Sequence, residues 1–273
     1  MQADLRNKTA LVTGASSGIG EAVARELARR GCNVVLLARR RQRLEALASE
    51  LSAPREGQSP RILAIEADVA RDGDIERAVA QTHEAIGPID IVVANAGISV
   101  IGPLMKLSLD DHRRQLETNL FGVLRTFIAT RDDLQQQRGC IAVVGSVNGY
   151  LTVPNTTSYA ISKYAVRAFC DGLRMEVHSL GIAVTHIIPG FIATEIRQLD
   201  SRGNHHPERK DPVPTWLQMP AREAAEEIAD AIALRESERV LTRHGKLAVL
   251  IQQFLPGLLE GIMRRAKING SAR

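Results

Sequence analysis

Short apolar runs rich in β-branched residues alternate with amphipathic stretches along most of this chain. The runs have the length and composition of buried strands and lie at 9–13, 33–38, 62–66, 89–94, 141–145, 182–188 and 239–242. Between them, apolar residues at helical spacing predict helices after residue 18 and at 42–51, 72–86, 107–134, 156–180 and 221–234. This alternation predicts one α/β domain, a doubly wound parallel sheet with helices on both faces.

The composition is that of an ordinary folded protein and excludes several other classes. Of 273 residues, 44% are hydrophobic and 24% are charged, values typical of globular domains. The net charge is only +4 and aromatic residues make up 3%, so we expect no nucleic-acid partner. Three scattered cysteines, Cys32, Cys140 and Cys170, indicate a reducing compartment rather than disulfides or zinc. We also assign no metal to the adjacent His205 and His206, because a pair of histidines in a polar loop is more often solvated than metal-bound.

The sequence near the two ends of the chain bears on the cellular compartment and on the domain boundaries. The first residues carry no apolar signal segment, and no run reaches the ~20 apolar residues of a membrane span, so we expect a cytoplasmic protein. We assign one domain to residues 1–244, in which the irregular stretch at about 191–220 is the predicted substrate loop. A basic amphipathic extension is assigned to residues 245–273. Such an extension can lie on a membrane, cover a substrate mouth or contact another subunit, and its apolar stripe favours packing against protein.

A glycine-rich turn directly follows the first predicted strand. It reads Gly14-Ala15-Ser16-Ser17-Gly18-Ile19-Gly20 and leads into a helix. Glycines let the backbone approach a pyrophosphate, and the N-terminus of the next helix presents free N–H groups to an anion. This setting favours a phosphate cradle, with a plain tight turn as the alternative.

Basic residues follow the second predicted strand, where Arg39 and Arg40 lead into a helix. In dinucleotide-binding folds an acidic residue at this place binds the ribose hydroxyl of NAD(H), whereas an arginine accommodates the 2′-phosphate of NADP(H). The sequence therefore favours NADP(H) over NAD(H), with Arg39 as the first candidate for the phosphate contact and Arg40 as the second. The alternative is that the arginines merely begin a solvated helix.

Three further strands end in small or polar residues, which are Asp68-Val69, Asn95-Ala96-Gly97 and Pro189-Gly190. The carboxyl ends of parallel strands meet at one edge of the sheet, where doubly wound sheets bind their ligands. Gly14, Arg39 and Ser146 follow strands in the same way. We therefore expect one ligand site along this edge.

A tyrosine and a lysine form the main candidate for chemistry. Tyr159 and Lys163 are four positions apart, so a helix places them one turn apart on the same face, and Ser146 ends a predicted strand. A free tyrosine has a pKa of about 10, which a neighbouring lysine cation lowers. Such a phenol can exchange protons with an alcohol or a carbonyl. The alternative is a surface helix that carries both residues by chance.

Two polar residues lie within predicted apolar elements. Asn119 lies on an apolar face of the helix predicted at 107–134, where its amide needs partners. It either holds a water or a carbonyl near the active centre, or it is satisfied in the core or by solvent. His186 lies inside a predicted strand and is interpreted as packing rather than as a ligand.

Together these residues resemble the short-chain dehydrogenase/reductase family over residues 7–242. The matching motifs are Thr13-Gly14-x-x-x-Gly18-x-Gly20, Asp68-Val69, Asn95-Ala96-Gly97, Asn119, Ser146, Tyr159-x-x-x-Lys163 and Pro189-Gly190 with Thr194. The resemblance implies a Rossmann-like fold and an NADP(H)-dependent interconversion of a carbonyl and a secondary alcohol by hydride transfer. Ser17 departs from the pattern of some NADP-using members, which carry Lys or Arg before the second glycine.

The resemblance also implies a role for each matched residue. Tyr159 would be the general acid/base, Ser146 would position the substrate oxygen, and Lys163 would lower the tyrosine pKa and bind the nicotinamide ribose. Asn119 would support a water-linked proton relay to Lys163. The other cofactor contacts would come from Gly14, Ser16, Ser17, Gly18, Ile19, Gly20, Arg39, Arg40, Asp68, Val69, Asn95, Ala96, Gly97, Pro189, Gly190 and Thr194.

The substrate and the partners are predicted more coarsely. Apolar residues near the motifs indicate a medium-sized, partly apolar substrate, and they are Val100, Ile101, Leu104, Leu151, Val153, Phe191 and Ile192. Family likeness implies a homodimer or homotetramer through the helices at 107–134 and 156–180. The competing hypotheses are a dinucleotide-binding regulatory protein without turnover and a membrane-surface protein that acts through its tail. The complete set of Ser146, Tyr159, Lys163 and Asn119 argues against the first.

Overall fold

Seven strands pair in parallel to form one sheet in the computed structural model, which describes residues 3–53, 59–198, 206, 208, 210–257 and 261. The strands are β1 (Thr9–Thr13), β2 (Asn33–Ala38), β3 (Ile62–Glu66), β4 (Ile91–Ala94), β5 (Cys140–Val144), β6 (Ala183–Ile188) and β7 (Glu238–Val240). Their order is β3-β2-β1-β4-β5-β6-β7. The chain winds outward in both directions from β1 and β4, and this reversal opens a crevice at the carboxyl ends of these two strands.

Helices connect the strands and cover both faces of the sheet. They are α1 (Gly18–Arg29), α2 (Arg41–Leu51), α3 (Asp74–Ala85), α4 (Leu109–Leu116), α5 (Gly122–Gln136), α6 (Thr157–Val177), α7 (Ala221–Ala233) and α8 (Arg243–Phe254). Ala10 and Val12 of β1 pack with α1, α2 and α7, whereas Leu11 between them packs with α3, α5 and α6. The strands are apolar throughout because both of their faces are buried. The predicted fold class is confirmed.

The structure changes the predicted elements in three places. The helix predicted at 107–134 is divided into α4 and α5 by a π-helical segment, Glu117–Phe121. The irregular stretch at 191–220 contains short 3₁₀ turns at Glu195–Gln198 and Thr215–Leu217, and residues 199–205, 207 and 209 within it lie outside the described residues. The predicted strand at 239–242 is instead Glu238–Val240.

The beginning of the predicted C-terminal extension is a helix that packs on the domain. α8 starts at Arg243, and its Val249 packs with Tyr150 and Ile188. The predicted extension also includes residues 258–260 and 262–273, which lie outside the described residues. Within the part of the chain that is described, no helix has both the length and the apolar character needed to cross a membrane.

Candidate active site

A cavity of about 470 Å³ follows the carboxyl edge of the sheet and brings most of the predicted residues together. It runs from the turn after β1 to the N-terminal half of α6. The predicted residues that line it are Gly14, Ser16, Ser17, Gly18, Ile19, Arg39, Arg40, Asp68, Val69, Asn95, Ala96, Gly97, Ser146, Tyr159, Lys163, Pro189, Gly190 and Thr194. Gly20 and Asn119 do not line it, and their structural surroundings explain why.

The glycine turn is held closely against the end of β4. Gly14 has a φ of +68°, in the left-handed region that favours glycine. A Cβ on Gly20 would lie 2.4 Å from both the Asn95 amide nitrogen and the Gly14 carbonyl oxygen. Asn95 Nδ2 donates to the Thr13 carbonyl oxygen at 2.9 Å. Gly20 lies in the first turn of α1, and its lack of a side chain lets α1 pack directly against Gly14 and Asn95.

The two predicted arginines differ in their surroundings. Arg39 is exposed, whereas Arg40 lies across the glycine turn and is half-buried. Arg40 Nε donates to Ser16 Oγ at 3.0 Å, and its Nη2 donates to Ser17 Oγ. The hydroxyl of Ser17 thus faces Arg40, the residue that precedes α2. This contact favours Arg40 over Arg39 as the arginine nearest the cradle.

The end of β3 leads to Asp68 and Val69, two of the predicted cofactor contacts. The backbone N–H of Asp68 donates to Asp74 Oδ2 at 2.9 Å, and Asp68 Oδ1 accepts from the backbone N–H of Ala70 at 3.0 Å. These bonds fix a tight turn that opens into the cavity. Val69 lies beside this turn and contributes an apolar wall.

The residues predicted for the reaction centre come from the end of β5 and from the first turns of α6. Lys163 is 5% exposed, and its Nζ donates to the Val144 carbonyl oxygen at 2.8 Å. The same Nζ lies 5.7 Å from the centre of the Tyr159 ring. Ser146 is also buried, and its Oγ accepts from the backbone N–H of Asn148 at 3.1 Å. Strand and helix thus bring a hydroxyl, a phenol and an amine to one cavity.

Burial governs the acid–base properties of this centre. It raises the pKa of the Tyr159 phenol above its ordinary value, while the Ser146 hydroxyl and the Arg197 cation lower it. Burial also lowers the pKa of Lys163 to about 8. The sequence predicts that Lys163 lowers the pKa of Tyr159; in this structure the net shift of that pKa is upward, because removal from water outweighs the neighbouring charges.

Asn119 is fully buried and has hydrogen-bond partners for both ends of its amide. Its Oδ1 accepts from the backbone N–H of Ile98 at 2.9 Å, and its Nδ2 donates to the Ile98 carbonyl oxygen and to Ser162 Oγ at 3.0 and 3.1 Å. Of the alternatives predicted for Asn119, its side chain therefore takes the one in which groups of the core satisfy the amide. Asn119 lies in the π-helical segment, a feature frequent at functional sites. Its part in a proton relay stays a prediction.

The remaining wall of the cavity combines predicted and unpredicted residues. Ile101, Leu151 and Val153 line it together with Phe191 and Ile192, whereas Val100 and Leu104 do not. The residues that the sequence pattern missed include Val147, Asn148, Ile196, Arg197, His244, Gly245 and Ala248. No motif marks them; Val147 and Asn148 come from the 3₁₀ turn after β5, and the others come from the irregular loop and from α8. His186 is buried and stacks on Tyr150 with ring centres 6.2 Å apart, as expected for packing.

Arg197 is a charged group of the cavity wall that the sequence did not single out. Its guanidinium makes hydrogen bonds of 2.6 to 2.8 Å with the carboxylate of Asp211. Its Nη2 also donates to the Ile192 carbonyl oxygen at 2.9 Å. A positive charge is thereby fixed in the wall of the cavity that holds Tyr159.

Comparison with known proteins agrees with this geometry. Residues 8–204 match the family model described as short chain dehydrogenase. The mouse protein named dehydrogenase/reductase SDR family member 7B is 32% identical over 266 residues, which cover 96% of this chain and 82% of that protein. Oxidoreductase UcpA of Salmonella typhimurium is 36% identical over 200 residues, 72% of this chain and 74% of that protein.

Two solved structures are similar to this one. The alcohol dehydrogenase of the archaeon Thermococcus sibiricus, complexed with 5-hydroxy-NADP, has a TM-score of 0.76 and 31% identity over 86% of this chain and 96% of its own. A short chain dehydrogenase/reductase from Burkholderia phymatum in complex with NAD has a TM-score of 0.81. Its identity is 24% over 93% of this chain and 96% of its own, so it supports the fold alone.

Proposed function

The chain belongs to the short-chain dehydrogenase/reductase family, and from this premise we propose an NADP(H)-dependent oxidoreductase that interconverts a carbonyl and a secondary alcohol. The observation that carries the proposal is the single cavity that joins Ser146, Tyr159 and Lys163 to the glycine turn. A cleft of this kind at the switch point of a doubly wound sheet is suited to a dinucleotide and a small second ligand.

The residues at one end of the cavity fit a nicotinamide dinucleotide. Gly14, Gly18 and Ile19 would hold the pyrophosphate, because they line the cavity where α1 begins and presents free backbone N–H groups. When bound, the cofactor supplies or accepts the hydride. The complex of the Thermococcus sibiricus relative with 5-hydroxy-NADP supports a cofactor of this class. The preference for NADP(H) rests on Arg39 and Arg40, since arginine suits a 2′-phosphate.

At the reaction centre, Tyr159 would exchange the proton of the substrate oxygen. Burial raises the pKa of its phenol, so the phenol holds its proton near neutral pH and can donate it to a carbonyl oxygen. Ser146 would hydrogen-bond the same oxygen and orient it. Lys163, whose pKa is lowered to about 8 by burial, still carries a proton at pH 7 and would bind a ribose hydroxyl.

The other end of the cavity would receive the substrate. Ile101, Leu151 and Phe191 give it an apolar wall, which supports a medium-sized and partly apolar substrate. We also propose a homodimer or homotetramer, because α5 and α6 carry exposed apolar side chains such as Ile128, Ile161 and Met175. Light scattering of the full chain measures that state.

Titration calorimetry with NADPH and NADH, followed by a ketone-reduction assay, tests the proposal. We expect tighter binding of NADPH, and an Arg40→Ala variant should lose more of that preference than Arg39→Ala. The Tyr159→Phe variant should bind the cofactor as the wild type does and lose roughly a hundred- to ten-thousandfold in turnover. Equal binding of the two cofactors would refute the NADP(H) preference, and full activity of the Tyr159 variant would refute the proton-transfer role.

A further inference from the structure

An ion-pair cluster joins the substrate loop to the arginines beside the glycine turn. Glu195 lies in the 3₁₀ turn that follows Thr194. Its Oε2 is 3.3 Å from Arg40 Nη1, and its two carboxylate oxygens are 3.2 and 3.0 Å from Arg43 Nη1. One carboxylate thus bridges two cations that α2 and the residue before it present to the cavity edge.

The same cluster reaches the phosphate cradle. Arg40 donates to the hydroxyls of Ser16 and Ser17 while its Nη1 pairs with Glu195. Arg40 and Glu195 both line the cavity, together with Ser16 and Ser17. The guanidinium suited to a 2′-phosphate is therefore shared with a carboxylate of the protein. Any anion that approaches Arg40 at this edge meets the negative charge of Glu195.

We propose that Glu195 is a specificity-determining residue that competes with the 2′-phosphate of NADP(H) for Arg40 and Arg43. The inference rests on the proposed function, because of the two cofactors only NADP(H) carries that phosphate. A phosphate that binds Arg40 must weaken the pair with Glu195 and lie close to a like charge. NADH requires neither change. Glu195 consequently lowers the affinity for NADPH and leaves that for NADH unaltered. The ratio of the two affinities is therefore smaller than it would be without this carboxylate of the substrate loop.

The exposure of the cluster sets the size of the effect. The side chains of Arg40, Glu195 and Arg43 are 38%, 31% and 44% exposed, so water and salt screen their charges. Pairs of this kind contribute modestly, and we expect neutralisation of Glu195 to tighten NADPH binding roughly three- to tenfold. The gain should shrink at high ionic strength, because the competition is electrostatic.

Titration calorimetry on Glu195→Gln, with NADPH and NADH at low and high salt, tests the proposal without any turnover. Glutamine keeps the shape and the hydrogen-bonding oxygen while it removes the charge. We expect the Kd for NADPH to fall roughly three- to tenfold and the Kd for NADH to stay within about twofold of the wild type. Glu45→Gln is the matched control, because Glu45 lies on α2 beside Arg43 but pairs with Arg41 instead. It removes an equal charge and should alter neither Kd by more than about twofold.

The outcomes separate this inference from the proposed function. Three results for Glu195→Gln would overturn the competition: equally tighter binding of both cofactors, no change in either Kd, or weaker binding of NADPH. The last result would mean that Glu195 helps to bind NADPH. A wild type that prefers NADH would refute the proposed NADP(H) preference. Even then, a gain confined to NADPH in the variant would uphold the role of Glu195.

Discussion

The two sides of the cavity are built in different ways. The proposed cofactor side, residues 14–19, 39–40, 68–69 and 95–97, consists of the turns that follow β1 to β4 and of the start of α1. Each turn is tied to a neighbour, as when Thr13 Oγ1 accepts from the backbone N–H of Ala96 at 3.0 Å. The substrate side, residues 147–153, 191–197 and 244–248, is assembled from loops and from α8. Side-chain pairs such as Arg197 with Asp211 and backbone hydrogen bonds such as that from the Val147 N–H to the Pro189 carbonyl oxygen join it.

This difference explains which parts of a site a sequence can encode locally. On the cofactor side, residue type is dictated by the backbone, because a turn this close to Asn95 admits only glycine at position 20. On the substrate side, many side chains of similar size could fill the same wall. The first side is therefore expected to be intolerant of change, and the second to be tunable.

The largest effect is expected from breaking the cofactor side at Gly20. In Gly20→Ala, the added Cβ would lie 2.4 Å from the Asn95 amide nitrogen and from the Gly14 carbonyl oxygen, so the turn must move. We expect a loss of more than roughly 3 kcal/mol in the free energy of unfolding, and loss of measurable NADPH binding. Urea unfolding and titration calorimetry measure the two quantities.

Gly172→Ala is the matched control for this change. Gly172 lies inside α6, and nothing is within 4 Å of the position of its Cβ. Alanine there should raise stability by about 0.5 to 1 kcal/mol, because it restricts the unfolded chain and favours the helix. If Gly20→Ala were as stable as this control, the cofactor side would be more adaptable than its packing indicates.

How far the site could be predicted follows the same division. The glycine turn, Asn95, Ser146, Tyr159 and Lys163 were found from spacing, since parallel strands end at one edge and a helix repeats its faces every turn. The substrate-side residues carry no such regularity. Their positions depend on segments that are distant in sequence, because the residues after β6 and those of α8 reach the cavity more than 30 residues after β5. The side-chain environment of Tyr159 was also beyond the sequence, because spacing does not report burial.

An intermediate effect, on the pH dependence of stability, is expected from Lys163, which lines the cavity between the two sides. Its native pKa of about 8 is below the value of 10.5 expected when unfolded, so above pH 8 the unfolded state binds more protons than the native state. Stability from this group therefore rises with pH across that window, by about 1.4 kcal/mol per unit, or about 2 kcal/mol by pH 9.5.

Urea unfolding of the wild type and of Lys163→Met at pH 7.5 and 9.5 isolates this contribution. The ionisation of Tyr159 and of the cysteines is common to both proteins and largely cancels in the difference. We expect the wild type to gain about 2 kcal/mol relative to the variant between the two pH values. Parallel pH profiles would mean that Lys163 keeps an ordinary pKa in the folded protein.

The smallest effect is expected on the substrate side, where Ala248→Trp should sharpen the contrast. Ala248 of α8 lines the cavity, and a larger side chain there removes space without touching the glycine turn. We expect kcat/KM for acetophenone to fall roughly tenfold relative to acetone, while the Kd for NADPH stays within twofold. Leu250→Trp is the control, since Leu250 lies on the same helix and is 52% exposed. A weakened Kd for NADPH in Ala248→Trp, absent from the control, would show that α8 shapes both sides and that their separation is incomplete.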